Sequence, residues 1–157
     1  MSTKATLYDE DFYAWTQEQA TLLRLGARHD LDLTNLAEEI ESLGKSDRRA
    51  LGSHLRNLVM HLLKWPYQPG GRLTGHSWES SILNARAAIA ELVEDSHSLQ
   101  REVAGLLARW YSLARLDASD ETGLLLATFP ETCPWTPAQV LDPDFWPDDS
   151  SAPTSRP

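Results

Sequence analysis

Residues 46–66 read SDRRALGSHLRNLVMHLLKWP, and this stretch decides the fold. Its apolar side chains recur three and four positions apart, which places them on one face of an α-helix. They are Leu51, Leu55, Leu58, Val59, Leu62 and Trp65. Pro66 ends the pattern, because proline cannot supply the backbone amide that a further helical residue needs. The spacing therefore predicts a helix over about 46–65 with one face in a hydrophobic core.

Similar apolar stripes on either side of this segment predict four more main helices. They cover about 9–25, 33–43, 78–94 and 99–117. Glycine commonly follows a helix C-terminus, so Gly26 and Gly44 are expected to end the first two. The stripe of the 33–43 helix, which we expect to pack against the other helices, consists of Leu33, Leu36, Ile40 and Leu43.

The chain changes in character after Phe129, where prolines are mixed with aromatic and aliphatic residues. We predict an arm that docks on the helices, with one helical turn starting at Thr136 and Pro137. Before the arm, residues 119–127 are predicted to form a separate short helix. From 148 to 157 the chain has no apolar anchor, and this acidic, Pro- and Ser-containing tail is predicted to be disordered.

The predicted fold class is all-α: an up-and-down bundle of about five main helices with an irregular C-terminal arm. A length of 157 residues and a mass of 17.6 kDa suit a single core, so we expect one domain over 1–147. Only residues 95–98 separate the last two main helices, which are therefore expected to be antiparallel neighbours.

The composition argues against several classes of function. Fourteen Lys and Arg against 23 Asp and Glu give a net charge of -9, which makes nucleic acids and anionic membranes poor partners. The lone Cys133 excludes an intrachain disulfide and a multi-cysteine zinc site. No apolar run is long enough to predict a membrane span, and the acidic N-terminus does not resemble a secretory signal. We therefore expect a cytoplasmic protein.

Several phrases of the sequence resemble one known family when they are taken in order. They are DFYAW at 11–15, NLAEEIESLG at 35–44, HLLKW at 61–65, SW at 77–78, ETGL at 121–124, FP at 129–130, CPWT at 133–136 and LD at 141–142. Over about residues 7–147 the chain resembles the bacterial domain-of-unknown-function family numbered 29. The resemblance implies a helical, bacterial and cytoplasmic protein. It carries over no catalytic residue, because no activity is assigned to the family.

Four polar residues at the margins of apolar stripes are candidates for chemistry: Glu39, His54, His61 and Arg86. One hypothesis is a polar pocket between helices, in which a histidine of shifted pKa moves protons. The alternative is a structural network, in which Glu39 meets Arg86 or a histidine and Gln19 satisfies a backbone carbonyl. Charges at a core boundary are more often structural, which favours the network.

The sequence predicts no metal and no cofactor. His54 and His61 are seven residues apart, so their backbones lie roughly 10 Å apart along a helix, too far for easy shared chelation. A di-iron bundle site needs two Glu-x-x-His pairs, and the sequence offers one, at Glu94 and His97. A metal shared between helices with Glu39 or Glu38 is the less favoured alternative.

The leading functional hypothesis is a protein-interaction or regulatory module, because a complete fold can be deduced while no reaction can. Its predicted contact surfaces are the loop 66–75 and the aromatic arm, which offers Trp135, Phe145 and Trp146 as anchors. The alternative is a metal- or small-molecule-binding bundle with enzymatic activity, using the four polar candidates. The sequence predicts a protein partner without identifying it, and it does not predict an oligomeric state.

Overall fold

The computed structural model describes residues 6–67 and 76–147, and within these ranges the chain forms helices and no strands. The helices are α1 (Leu7–Glu10), α2 (Phe12–Leu25), α3 (Leu33–Lys64), α4 (His76–Val93), α5 (His97–Thr122) and α6 (Pro137–Leu141). Two short 3-10 turns are formed by Arg28–Asp30 and Leu126–Thr128. The prediction of an all-α bundle is confirmed, with four long helices where about five main helices were expected.

Two predicted helix boundaries are wrong. The predicted helices 33–43 and 46–65 are one helix, α3, and Gly44 lies inside it. A glycine in a helix interior costs only about 1 kcal/mol relative to alanine, and no proline follows Gly44 to stop the helix. Glycine ends a helix where it adopts a positive φ, as Gly26 does after α2 and Gly123 does after α5. The predicted separate helix over 119–127 is therefore the end of α5 followed by a turn.

The chain divides into two compact units, an N-terminal unit (Met1–Ser46) and a C-terminal unit (Asp47–Pro157). Ser46 lies within α3, so this helix begins in one unit and ends in the other. The single domain over 1–147 stays a prediction. The predicted tail, 148–157, lies outside the described residues, and so do residues 68–75 of the predicted contact loop.

The N-terminal unit is organised around Asp32, the residue before α3. Trp15, which is buried in α2, donates its indole N–H to the Asp32 carboxylate at 3.1 Å. The buried Gln19 accepts a hydrogen bond from the Asp32 backbone amide at 2.8 Å, whereas the sequence predicted that it would satisfy a carbonyl. Tyr8 and Phe12 pack on Trp15, with ring centroids 4.9 Å and 5.7 Å from it. This unit is held by aromatic and polar contacts.

The C-terminal unit has an aliphatic core between the second part of α3, α4 and α5. Its fully buried side chains include Leu51, Leu55, Leu58, Leu62, Ile82, Ile89 and Ala114. The predicted stripe of residues 46–65 is thus confirmed as a core face. Two ion pairs join α3 to α5: Arg56 with Asp117, at 2.6 Å and 2.9 Å, and Arg48 with Glu102, at 3.1 Å.

Across 6–67 and 76–147, none of the helices combines the length and the apolar character that crossing a membrane requires.

Candidate functional site

Arg86 fixes the C-terminal arm to the bundle. It lies on α4, is only 5% exposed, and donates hydrogen bonds to the backbone carbonyls of Val140 at 2.9 Å and Phe145 at 2.8 Å. Its guanidinium also lies over the ring of Trp146, 5.6 Å from the centroid. Burial lowers the pKa of Arg86, and the nearby Asp142 carboxylate partly opposes this shift. The contacts assign Arg86 a positioning role toward the arm.

The aromatic side chains of the arm pack within the C-terminal unit. Trp146 lies against Trp65 with a centroid distance of 4.6 Å, and Trp135 meets Phe145 edge to face at 6.2 Å. Trp135 and Trp146 are both partly buried against the hydrophobic core. The predicted helical turn is present as α6, which begins with a capping box between Thr136 and Gln139. The role of these aromatic residues as interaction anchors stays a prediction.

A cluster of polar side chains that the sequence analysis did not single out lies at the end of α3. The Lys64 side chain is 4% exposed, and its Nζ donates to the Glu121 carboxylate at 2.5 Å. The same ammonium group lies 4.5 Å from the centroid of the Trp78 ring. The available signal was a lysine between Leu63 and Trp65 in the last turn of an amphipathic helix, where only a paired charge can be buried.

His61 lies one turn before Lys64 and is half-buried. Burial and the Lys64 charge lower the pKa of His61 to about 4, while the Glu121 carboxylate acts in the opposite direction. Its Nδ1 atom is buried without a hydrogen-bond partner. A general base works best when its pKa is near the operating pH. A neutral imidazole of such low pKa is therefore a weak base at pH 7.

The other two candidates have separate surroundings. Glu39 belongs to the N-terminal unit, where it accepts a hydrogen bond from the Tyr8 hydroxyl at 2.5 Å. His54 is half-buried on α3, seven residues before His61. In the described part of the chain, no three His, Cys, Asp or Glu side chains are grouped closely enough to hold a metal ion.

The stripe that was expected to pack at the start of α3 is largely exposed to solvent. Leu33, Ile40 and Leu43 are 66%, 67% and 68% exposed, and Leu36 is half-buried; we call these four residues the apolar seam. The expectation that they lie in a core is wrong. The buried side chains of α2 are Trp15 and Gln19, and both hydrogen-bond to Asp32, the residue that precedes the seam. The buried face of α2 therefore packs against the chain just before the seam, which leaves the seam exposed.

The fold and these surroundings define a small all-α protein with an exposed apolar seam at one end of its longest helix. A family model described as domain of unknown function DUF29 matches residues 7–146. The chain belongs to this family, which confirms the resemblance seen in the sequence. Comparison with curated proteins and with solved structures returns no match.

Proposed function

We propose that this protein is a protein-interaction module whose contact surface is the apolar seam. The observation that carries the proposal is the exposure of Leu33, Ile40 and Leu43, each about two-thirds open to solvent. Adjacent apolar residues exposed on a surface are typical of sites that bind another protein. A bacterial and cytoplasmic setting is part of the proposal, supported by the family resemblance of the sequence.

The spacing of the seam suits one kind of partner, an α-helix. Its four residues are separated by three, four and three positions, which is the a/d pattern through which two helices pack side by side. A partner helix with apolar side chains at the same spacing would cover the seam along about three turns. Helix-in-groove recognition of this kind uses anchors at these intervals.

The helix around the seam supports the same proposal. Residues 40–49 of α3 are all exposed, and Gly44 lies among them. Most helical stability in proteins comes from packing of an amphipathic face, and an interior glycine costs about 1 kcal/mol relative to alanine. A partner helix on the seam would supply the packing that this part of α3 lacks.

The test compares two single substitutions in the full chain. Ile40→Ser removes an anchor of the seam, and isoleucine and serine have similar helix propensities, so α3 is retained. Leu125→Ser is the matched control, since Leu125 is 79% exposed and lies outside the seam. We expect a protein captured from bacterial cells by the wild type to be retained by Leu125→Ser and lost by Ile40→Ser.

The captured protein is then purified and its affinity for the three chains measured by calorimetry. We expect Ile40→Ser to weaken binding by about tenfold or more, as truncation of a central apolar anchor does. Equal affinities for the wild type and Ile40→Ser would place the interaction elsewhere and would contradict the proposal.

A further inference from the structure

The N-terminal unit carries more than half of the net charge of the protein in less than a third of its length. Residues 1–46 contain nine Asp and Glu against four Lys and Arg, a net charge of -5 out of -9 for the whole chain. The apolar seam therefore lies in the more acidic unit. Any partner of the seam must approach this negative charge.

Carboxylates lie directly beside the seam. Glu39 and Glu41 precede and follow Ile40, so they lie about 100° to either side of it on the helix. The cation of the same helical segment, Lys45, is five residues away and lies roughly 140° around the helix from Ile40. The edges of the seam are thus acidic, and Lys45 lies toward the opposite face of the helix.

Helix α1 adds further negative charge next to the seam. The hydrogen bond from Tyr8 to Glu39 fixes α1 beside this part of α3, and the α1 residues Asp9 and Glu10 are exposed. The pKa of Tyr8 is raised to about 12, first by that hydrogen bond, next by burial, and then by the charges of Glu39, Glu38 and Asp9. The Tyr8–Glu39 hydrogen bond therefore brings the acidic residues of α1 beside the Glu39 edge of the seam.

The negative charge of the N-terminal unit favours one kind of partner helix over another. A second copy of this chain would bring a second acidic unit to the interface, and like charges placed together oppose association. We infer that the partner is a basic amphipathic helix, with apolar residues facing the seam and Lys or Arg facing Glu39, Glu41 and α1. This inference rests on the proposed function and adds the chemistry of the partner to it.

The experiment uses two synthetic peptides that form amphipathic helices with the same leucine face. One carries lysines along both edges of that face, and the other carries glutamates. Binding of each peptide to the full chain is measured by fluorescence anisotropy at about 50 mM and about 500 mM salt, because salt screens exposed charges. The proteins are the wild type, Ile40→Ser, Leu125→Ser, Glu41→Gln and Glu94→Gln.

We expect the lysine peptide to bind the wild type about tenfold more tightly than the glutamate peptide at low salt, with a smaller difference at high salt. Ile40→Ser should weaken binding of the lysine peptide by about tenfold, while Leu125→Ser should leave this affinity unchanged. Glu41→Gln should weaken it by about two- to threefold. Glu94→Gln, which removes an exposed carboxylate in the C-terminal unit, is the matched control and should have no such effect.

The outcomes separate the partner chemistry from the proposed function. If both peptides bind with equal affinity and Ile40→Ser weakens the binding of both, the inference of a basic partner is wrong and the proposed function stands. A concentration-dependent dimer that Ile40→Ser abolishes in sedimentation would make a second copy the occupant and would overturn the inference. If neither peptide binds, or if Ile40→Ser does not change the affinity, both the inference and the proposed function are contradicted.

Discussion

The two parts of α3 have the same apolar spacing and opposite surroundings. In the C-terminal unit, Leu51, Leu55 and Leu58 are fully buried, whereas in the N-terminal unit Leu33 and Ile40 are about two-thirds exposed. The difference lies in the neighbours that each unit provides. Helices α4 and α5 contribute aliphatic side chains to the buried part, while α2 offers aromatic and polar contacts that end at Asp32. Periodicity shows which side chains share a face, and the neighbours decide whether that face is covered.

The largest expected effect contrasts one leucine and one isoleucine on this helix. Leu58→Ala should lower the free energy of unfolding by about 2–5 kcal/mol, because a cavity forms in a closely packed core. Ile40→Ala should change it by less than about 0.5 kcal/mol, since an exposed side chain leaves no cavity. Urea unfolding of the full chain, followed by circular dichroism, measures both. Similar losses for the two variants would show that the seam is covered within the chain itself.

Substitution of two glycines on α3 should change the stability of the protein by smaller amounts, and in opposite directions. A Cβ added to Gly52 would lie 2.6 Å from the indole nitrogen of Trp110, while a Cβ added to Gly44 would meet nothing within 4 Å. Gly52→Ala should therefore destabilise the protein by about 1–2 kcal/mol, because the indole must move. Gly44→Ala should stabilise it by about 0.5–1 kcal/mol, because alanine favours the helix.

The glycine pair is checked by thermal unfolding of the two variants beside the wild type. Stabilisation by both substitutions would mean that the Trp110 side chain moves aside without lowering the free energy of unfolding. Destabilisation by Gly44→Ala would mean that a side chain at this position meets a neighbour, which would end the contrast between the two parts of α3.

The sequence predicted the fold where local signals and packing agree. The stripe over 46–65 and the glycine after α2 were both correct, because helical spacing and positive-φ glycine depend on residues close in the chain. Gly44 was misread because the same residue type is tolerated inside a helix. Whether the seam is covered could not be predicted, since coverage depends on which side chains α2 contributes.

The surroundings of the polar candidates were less predictable than the fold. Arg86 binds two backbone carbonyls, and every residue of the chain has a carbonyl, so no residue type identifies such a partner. Lys64 and Glu121 are separated by 57 positions, and their pairing depends on how α3 and α5 pack. Glu39 binds Tyr8, 31 residues away. Sequence patterns locate polar residues at a core margin, whereas tertiary packing selects their partners.

The last expected effect is a sensitivity to acid at the buried end of α3. The pKa of His61 is lowered to about 4 in the folded chain from an ordinary value of 6.5, chiefly by burial. Between these two values the unfolded chain binds a proton that the folded chain does not, so stability falls as the pH drops through this range. Solvent reaches part of the ring, so we expect about half of the full linkage value, a loss of about 1–2 kcal/mol.

His61→Gln removes this titration and should reduce the loss of stability between pH 7 and pH 4. The carboxylates that also titrate in acid are common to both proteins, so the difference between their urea unfolding curves isolates the histidine. Above pH 7 the imidazole is neutral in both folded and unfolded chains, and the two proteins should differ by a constant amount. An unchanged acid slope in His61→Gln would show that the ring is solvated in the folded protein. The C-terminal end of α3 would then resemble its exposed beginning more closely than the packing around Lys64 indicates.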